Sequence, residues 1–393
     1  MLIGILGRPN AGKSTFFKAC TLANVLIAPY PFATIKPNRG VGYVRIDCID
    51  KEFNTQCMPR EGYCNDGQRF VPVELMDVAG LVPGASQGKG MGNQFLDDLR
   101  QADAFVHVLD MSGTSNAEGK PAENYYPGND LKFLEEELDL WYSGILKKVW
   151  KTFSRTIEMQ HQNFAQAVAG QFSGLKVTEE DVKRAVLKSG LNIEKPTLWS
   201  EQQIFGFARA LRKMTKPMII AANKMDTEKA GENLEKIKKE FDYPIVPCSA
   251  ETELALREAS KAGITGYLPG DEDFKVLKEL SEKQKTALEF IKKNVLNKYG
   301  NTGVQRVLNF SVFELLKYVA IFPAGVHKLA DSKGNILPDC FLLPEGSTAL
   351  DFAFKLHTDI GNNFVKAVDA RTKKAVGKEY VLKNRDALEI LTR

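Results

Sequence analysis

The sequence has little of what marks metal centres, membrane proteins and secreted proteins. It contains only 4 histidines, and its 6 cysteines are scattered, with no Cys-x-x-Cys pair and no histidine close to them in sequence. This pattern does not indicate a zinc site, and we interpret the cysteines as reduced thiols of a cytosolic protein. No apolar run approaches the roughly 20 residues of a membrane-spanning helix, and the first residues predict a strand instead of a signal peptide. We therefore expect a cytoplasmic protein with no membrane partner.

A strong charge of one sign is also missing. The 53 lysines and arginines nearly balance 49 aspartates and glutamates, which leaves a formal net charge of +4. Nucleic-acid binding is neither required nor excluded by this balance, because phosphate binding depends on where basic residues cluster. With 393 residues, of which 44% are hydrophobic and 26% charged, the chain has an ordinary globular composition. Its length favours two or three domains.

Short apolar runs that end in polar or small residues predict parallel strands buried on both faces. These runs are residues 2–6, 104–110, 217–224 and 244–250. Two further runs, residues 41–47 and 71–77, predict an antiparallel pair joined by a polar excursion that contains cysteines. Together the runs predict a doubly wound, mostly parallel α/β sheet, with ligand-binding loops at the carboxyl ends of its strands.

A long insertion separates the second and third of the predicted parallel strands. It spans about a hundred residues, far more than one crossover helix needs. From Asp130 to Ile157, apolar residues recur at spacings of three and four, which predicts a long amphipathic helix or a short coiled coil. Capping-box patterns at Thr178 and Ser200 mark helices that can return along the first. We expect an inserted helical hairpin domain at residues 116–214 that projects from the sheet.

Further helical patterns follow the last predicted strand of the sheet. They cover residues 252–262 and 274–317, with breaks near Gly300 and Gly303.

The C-terminal part has a different texture, with short apolar runs separated by turn residues. The order is strand, strand, helix, strand, strand, and Thr348 with Asp351 marks the start of the helix. This order predicts a ubiquitin-like β-grasp domain at residues 315–393. The sheet domain would then comprise residues 1–115 and 215–314.

The segment GRPNAGKS, Gly7–Ser14, lies between the first predicted strand and a predicted helix. In this context the G-x-x-x-x-G-K-S pattern is typical of a phosphate-binding loop, whose backbone N–H groups converge on the β-phosphate. Lys13 would bridge the β- and γ-phosphates, and the Ser14 hydroxyl would bind Mg²⁺. The predicted nucleotide-binding residues of this loop are Asn10, Ala11, Gly12, Lys13, Ser14 and Thr15.

Two further segments could serve the γ-phosphate and its cation. Asp77-Val78-Ala79-Gly80 follows a predicted strand, so Asp77 could reach Mg²⁺ through water and the Gly80 amide could reach the γ-phosphate. Thr34, in the loop after the first helix, would close over Mg²⁺ when a γ-phosphate is present, and an ordinary loop threonine is the alternative. The predicted catalytic residues are Lys13, Thr34 and Gly80, and the predicted Mg²⁺ ligands are Ser14, Thr34 and Asp77.

The segment Asn223-Lys224-Met225-Asp226 follows another buried strand and predicts the base. The two acceptor oxygens of Asp226 match the N1–H and exocyclic amine of guanine, whereas adenine presents an unprotonated nitrogen there. Asn223 would bind the other edge of the base and brace the phosphate loop, and the Lys224 stem would cover one face of the ring. In Ser249-Ala250-Glu251, the Ala250 amide would bind the guanine oxygen. The predicted nucleotides are GTP and GDP.

Several quoted segments together resemble a known family. GRPNAGKST, PYPFATIKPN, DVAGLVPGASQGKGMGNQFL, NKMD, CSAE and LPEGSTALDFAFKLHTDIG are similar to the Obg-related GTPases, in the archaeal form of the YchF-type branch. The resemblance covers nearly the whole chain and implies a C-terminal TGS module and association with ribosomes. Many YchF-type proteins have an altered base motif and prefer ATP. Here NKMD is intact, so the resemblance does not carry an ATP preference over to this chain.

The resemblance also bears on hydrolysis. Ras-like switches have a water-orienting glutamine directly after DxxG, and this position is Leu81 here, as in the hydrophobic-substituted GTPases. We therefore predict slow hydrolysis by the isolated protein, which rests on the phosphate loop, Mg²⁺ and Lys13. In related GTPases the asparagine equivalent to Asn10 can coordinate K⁺, and simple support of the loop by Asn10 is an equal alternative. A mobile switch segment is favoured by glycines after Leu81, namely Gly84, Gly88, Gly90 and Gly92.

The C-terminal domain carries a basic run that is either a solvated face or a contact with ribosomal or transfer RNA. Its members are Lys366, Arg371, Lys373, Lys374, Lys378 and Lys383. The function predicted from the sequence is a monomeric, GTP-driven molecular switch that acts on the ribosome. The alternatives are an ATPase of the same fold and a nucleotide-sensing scaffold that binds proteins. A phosphate-loop kinase fits less well, because NKMD and DVAG are features of switches.

Overall fold

The main sheet lies in the N-terminal two thirds of the chain. The computed structural model describes residues 1–21, 39–78, 98–331 and 333–393. The strands of the main sheet are β1 (Leu2–Leu6), β2 (Arg39–Asp47), β3 (Tyr63–Asn65), β4 (Gln68–Asp77), β5 (Ala104–Asp110), β6 (Met218–Asn223) and β7 (Ile245–Pro247). Their order is β2-β4-β1-β5-β6-β7, with β3 paired to β4. The predicted α/β sheet is confirmed.

Strand direction follows the hydrophobic pattern. β1 is parallel to β4 and β5, β6 lies parallel between β5 and β7, and β2 is antiparallel to β4. Every residue of β1, β5 and β6 is buried, as expected for central strands that are covered on both faces. The carboxyl ends of the parallel strands therefore point to one edge of the sheet, where a ligand can bind between the loops.

The insertion is a set of helices packed onto this sheet. The inserted helices are α2 (Gly128–Lys147), α3 (Trp150–Gln160), α4 (Phe164–Gln171), α5 (Glu179–Ser189) and α6 (Glu201–Thr215), whereas α1 (Lys13–Thr21) directly follows β1. The predicted capping boxes at Thr178 and Ser200 are both formed. α2 packs against α6 as in a hairpin, and Arg212 donates to Asp139 Oδ1 at 2.6 and 2.8 Å.

Two details of the predicted insertion are wrong. The helix predicted from Asp130 to Ile157 is interrupted between α2 and α3, where the turn allows Trp150 to pack against Trp199 with ring centroids 5.2 Å apart. The hairpin also does not stand clear of the sheet. The apolar side of α2 belongs to one continuous hydrophobic cluster with residues of β1 and β5, so α2 packs against a face of the sheet.

Helices and two short strands connect β6 to the C-terminal domain. They are α7 (Ala230–Glu240), α8 (Ala250–Lys261), β8 (Thr265–Gly266), β9 (Lys275–Val276), α9 (Glu282–Ile291), α10 (Asn297–Tyr299) and α11 (Val304–Asn309). Lys292–Leu296 and Phe310–Leu315 are π-helical. The helix predicted from residue 274 is wrong at its start, because β9 pairs with β8 and α9 begins after a capping box at Ser281.

The C-terminal domain has its own five-stranded sheet. Its elements are β10 (Tyr318–Pro323), β11 (Phe341–Pro344), α12 (Ala349–Leu356), α13 (Thr358–Asn362), β12 (Phe364–Asp369), β13 (Ala375–Val376) and β14 (Ala387–Thr392). The strand order is β11-β10-β14-β12-β13, in which β10 and β14 are parallel. This is the predicted β-grasp arrangement. Among the helices within the described ranges, none has the length and apolar character to cross a membrane.

Candidate nucleotide-binding site

A cavity of about 440 Å³ opens at the carboxyl ends of the parallel strands. Its lining residues are Arg8, Pro9, Asn10, Gly12, Lys13, Ser14, Thr15, Asn223, Lys224, Asp226, Ser249 and Glu251. The structure therefore brings together three segments that lie far apart in sequence: the phosphate loop, the segment after β6 and the segment after β7. Ala11 and Ala250, which were also predicted to bind nucleotide, are buried.

The backbone of the phosphate loop is curled and is held by a hydrogen bond from Asn223. Asn10 and Gly12 have positive φ angles of 63° and 91°. A Cβ atom on Gly12 would lie 2.3 Å from Asn223 Nδ2, so only glycine fits at this position. The same nitrogen of Asn223 donates to the Ala11 carbonyl at 3.0 Å, and the amide of Phe16 donates to the Gly12 carbonyl at 2.8 Å. The predicted bracing of the loop by Asn223 is present.

Two of the groups predicted to serve the γ-phosphate and its cation, Lys13 and Asp77, are paired with each other. The Lys13 ammonium forms an ion pair with the Asp77 carboxylate, and their side chains are 14% and 20% exposed. Ser14, directly after Lys13, is exposed. The Ser14 hydroxyl and the Asp77 carboxylate are hard oxygen donors of the kind that Mg²⁺ prefers, so the residues present fit this ion. Thr34, Gly80, Leu81 and the glycines after it lie outside the described residues.

Asp226, which also lines the cavity, is held by the segment after β7. Its Oδ1 accepts a hydrogen bond from the Ser249 hydroxyl at 2.8 Å, and Ser249 is fully buried. Asn223 Oδ1 accepts a hydrogen bond from the Ala250 amide at 3.0 Å. Asn223 therefore ties the phosphate loop to the segment after β7. The bonds that we predict from Asn223, Asp226 and Ala250 to the base stay predictions.

A network of buried charges lies next to the phosphate loop and was not predicted from the sequence. Arg8 is 4% exposed, and its Nε donates to Asp130 Oδ2 at 2.6 Å. Its Nη2 lies 3.4 Å from Asp110 Oδ2, to which Lys224 Nζ also donates at 2.8 Å. Tyr125 donates to the second oxygen of Asp130 at 2.7 Å. An arginine in the loop and an aspartate that ends a buried strand were local signals, but no spacing pointed to Asp130.

The network fixes the position of Lys224 and the charge of Asp110. Burial raises the pKa of Asp110, but hydrogen bonds from Lys224 and Ser112 outweigh it and leave the pKa below its usual value. Lys224 Nζ also donates to the Asn10 carbonyl at 2.9 Å. The lysine predicted to cover the base is thus anchored to the phosphate loop and to the end of β5.

Asn10 contacts the loop that follows β5. Its Nδ2 donates to the Gly119 carbonyl at 2.8 Å. This hydrogen bond is of the kind expected if Asn10 supports the loop, and it uses the amide nitrogen and not the oxygen that would bind K⁺. Both roles of Asn10 stay open.

Three family descriptions match successive parts of the chain. The "50S ribosome-binding GTPase" family matches residues 2–136, the "Obg-like GTPase YGR210-like, G4 motif-containing domain" family matches residues 221–325, and the "TGS domain" family matches residues 332–392. The first two matches include the phosphate loop and the segment that contains Asp226.

Individual relatives match over the full length. The GTP-binding protein MJ1332 of Methanocaldococcus jannaschii is 47% identical over 395 residues, which cover 100% of this chain and 99% of that protein. The ribosome-binding ATPase YchF of Buchnera aphidicola is 28% identical, with 99% and 98% covered.

A solved structure supports the same grouping. The crystal structure of a GTP-binding protein from Pyrococcus horikoshii superposes with a TM-score of 0.79 at 38% identity, and all of both chains is covered. The fold, the phosphate loop and the three family matches agree with one another. The chain belongs to the YchF/Obg-like family of P-loop GTPases, which are nucleoside triphosphate hydrolases.

Proposed function

We propose that this protein binds GTP with Mg²⁺, hydrolyses it to GDP and phosphate, and acts as a molecular switch on the ribosome. The observation that carries the proposal is the placement of Lys13 and Asp226 in one cavity, with Asn223 fixing the segments that bear them. The protein thereby sets the separation between Lys13 and Asp226, so one ligand with phosphates and a base can contact both residues. Mg²⁺, held by Ser14 and Asp77, would neutralise phosphate charge.

Guanine is the base that this site supports best. Asp226 carries acceptor oxygens, and the buried Ser249 hydroxyl fixes one of them. An acceptor pair facing the unprotonated N1 of adenine would leave buried polar groups unsatisfied, which costs several kcal/mol in comparable sites. ATP is the second candidate, because the name of the Buchnera relative describes an ATPase. The fixed carboxylate favours GTP.

Hydrolysis would depend on Lys13 and on backbone groups of the phosphate loop. An ammonium group beside the β- and γ-phosphates stabilises the charge that develops in the transition state. We expect slow turnover by the isolated protein and faster turnover with ribosomes. The test measures phosphate release from GTP and from ATP, with and without ribosomes, for the wild type and for Lys13→Ala. Equal turnover by the wild type and Lys13→Ala would overturn the assignment of the site.

The role of potassium is tested by the same assay in KCl and in NaCl. Faster turnover in KCl, lost in Asn10→Ala, would support a cation bound by the Asn10 oxygen. Equal rates in the two salts would leave Asn10 as a support of the loop through Gly119.

The basic run of the C-terminal domain supports the ribosomal part of the proposal. Lys366, Lys373, Lys374 and Lys383 are exposed, and they form no ion pair within the residues that the structure describes. Unpaired lysines on one small domain suit contacts with RNA phosphates. The relative YchF is named as ribosome-binding. A cytoplasmic location would follow from this role.

Co-sedimentation with ribosomes tests this part. We expect the GTP-loaded protein to sediment with ribosomes more than the GDP-loaded protein at physiological salt. Charge reversal by Lys373→Glu with Lys374→Glu should weaken the association at least tenfold, whereas Lys285→Glu on α9 should not. Identical sedimentation of both nucleotide states with and without ribosomes would exclude the switch and favour a protein-binding scaffold. The division into residues 1–115 with 215–314, 116–214 and 315–393 is part of the same proposal.

A further inference from the structure

Three cysteines and one aspartate meet in the polar excursion between β2 and β4. They are Cys48, Asp50, Cys57 and Cys64, and their ligand atoms all lie within 4.8 Å of one another. Cys48, Asp50 and Cys57 are buried, and Cys64 is half-buried. The spacing Cys-x-Asp-x₆-Cys-x₆-Cys contains no close cysteine pair, which is why the sequence alone did not indicate a zinc site.

The separations of these atoms suit a tetrahedral metal and not a disulfide. The sulfurs of Cys48 and Cys57 lie 3.6 Å apart, and the sulfur of Cys64 lies 3.8 Å from Asp50 Oδ2. Around Zn²⁺ with Zn–S bonds of about 2.3 Å, neighbouring tetrahedral ligands lie about 3.8 Å apart. A disulfide requires sulfurs at about 2.05 Å. The separations of 3.6 Å and 3.8 Å, and the limit of 4.8 Å on the others, are compatible with four ligands around one zinc ion.

The carboxylate of Asp50 provides a second observation. Asp50 is fully buried, and its Oδ2 accepts a hydrogen bond from the Cys57 amide at 3.2 Å. Its Oδ1 has no hydrogen-bond partner in the described part of the chain. A buried carboxylate oxygen without a partner is costly, and a cation that Asp50 binds through Oδ1, or through both of its oxygens, would remove this cost.

We propose that Cys48, Asp50, Cys57 and Cys64 form a structural zinc site. Four protein ligands close the coordination shell, which is typical of structural and not catalytic zinc. On binding, the three thiols release their protons to solvent, and the sulfurs and the carboxylate donate electron pairs to Zn²⁺ without any change of oxidation state. The site would cross-link the end of β2, the turn after it and β3.

The segment that carries the site is also where the C-terminal domain docks. The amide of Met58 donates to the Ile336 carbonyl at 2.8 Å, and the amide of Arg60 donates to the Pro338 carbonyl at 2.9 Å. Arg69, which pairs with Cys64 in the β3–β4 register, donates to the Pro338 carbonyl at 2.8 Å. Zinc would therefore hold rigid the surface on which the C-terminal domain rests.

Metal analysis of the purified full-length protein tests the proposal. Elemental mass spectrometry of the wild type should give a zinc content of about one ion per chain. Cys57→Ser and Cys64→Ser should each lower the zinc content at least tenfold. Cys340→Ser is the matched control, because Cys340 lies outside the four-residue set, and this variant should keep its zinc.

A second measurement does not depend on whether the variants fold. Wild-type protein expressed in medium that contains Co²⁺ should show the visible absorption bands of tetrahedral Co²⁺ with thiolate ligands. Excess Zn²⁺ should displace the Co²⁺ and abolish these bands. Folded wild-type protein that contains no zinc and takes up no Co²⁺ would overturn the proposal. So would a Cys48–Cys57 disulfide in protein purified without oxidant, or equal zinc loss in Cys340→Ser.

Discussion

Arg8 is the residue on which the buried charges under the phosphate loop converge. It is 4% exposed and supplies the cation for Asp130, whose Oδ2 lies 2.6 Å from Arg8 Nε. Removing one partner of a buried ion pair leaves an uncompensated charge, so Arg8→Ala should lower the free energy of unfolding by about 3–5 kcal/mol. Urea denaturation measures this change. The exposed Lys285, paired with Glu282, is the control, and Lys285→Ala should cost less than about 0.5 kcal/mol.

If Arg8→Ala were no more destabilising than Lys285→Ala, the network would not contribute to the stability of the site. In that case the helical insertion would not be coupled to the phosphate loop through Asp130.

His107, within β5, makes stability depend on pH. It is 1% exposed, and burial, assisted by the charge of Arg8, lowers its pKa from 6.5 to about 3. Between these values the unfolded chain binds a proton that the native protein does not. The contribution of neutral His107 to the free energy of unfolding is therefore fully present above pH 6.5. As the pH falls below this value, the contribution decreases by up to about 1.4 kcal/mol per pH unit.

The difference in unfolding free energy between about pH 7 and about pH 5.5 isolates this effect. It should shrink in His107→Leu and stay at the wild-type value in His161→Leu, since His161 is exposed. An unchanged difference in His107→Leu would show that other groups cause the pH dependence.

The residues of the site divide by how local their signals are. Lys13, Ser14 and Asp226 lie in short motifs directly after strands, so the sequence predicts both their identity and their meeting point. Asp130 and Cys57 gain their roles only from contacts across the fold. Residues joined by tertiary structure leave no periodic trace in sequence, which is why neither the charge network nor the cysteine cluster was predicted.

At the scale of elements, Gly303 lies between α10 and α11 and packs against the end of β7. Its φ angle is +81°, and a Cβ would lie 2.0 Å from the Pro247 carbonyl oxygen. Thr302, its neighbour, accepts a hydrogen bond from the Ser249 amide at 2.9 Å. Gly303→Ala should therefore destabilise the protein and also weaken GTP binding, because Ser249 positions Asp226.

Gly300 provides a matched control for the backbone. It has the same φ of +81°, but nothing lies within 4 Å of a Cβ built there. Gly300→Ala should cost only the left-handed strain of about 1–2 kcal/mol and leave GTP affinity unchanged. Denaturation and nucleotide titration of both variants test this, and equal losses would rule out a specific role of Gly303.

Helices and strands could be predicted where the spacing of apolar residues fits only one kind of secondary structure. The buried strands and the capping boxes at Thr178, Ser200 and Thr348 follow the sequence patterns closely. The break before Trp150 could not be predicted, because apolar residues keep their helical spacing across it. The turn is stabilised by packing of Trp150 against Trp199. Tertiary contacts override helix periodicity at this point.

At the scale of the whole molecule, Arg69 joins the main sheet to the C-terminal domain. It is 1% exposed and donates to the carbonyls of Leu337 and Pro338. Hydrogen bonds from a charged group contribute about 1.5–3 kcal/mol. Arg69→Leu should therefore uncouple the domains, so that calorimetry shows two thermal unfolding transitions where we expect a single transition for the wild type.

The control for this prediction is Arg371→Leu, which removes an ion pair between Arg371 of the C-terminal domain and Glu52. The side chains of Arg371 and Glu52 are 30% and 36% exposed. Such a pair contributes little, so unfolding should remain a single transition. A single unshifted transition in Arg69→Leu would show that other contacts hold the domains together.

We propose that Asp226 selects guanine at a site shared with Lys13. The most direct test is the equilibrium affinity of the wild type and Asp226→Asn for GTP, ATP and xanthosine triphosphate, measured calorimetrically with Mg²⁺. We predict that the wild type prefers GTP over ATP at least a hundredfold, a difference of about 2.7 kcal/mol. Asp226→Asn should instead prefer xanthosine triphosphate, whose N1–H and carbonyl match an amide. Equal or tighter binding of ATP by the wild type, or unchanged GTP affinity in Asp226→Asn, would contradict the account.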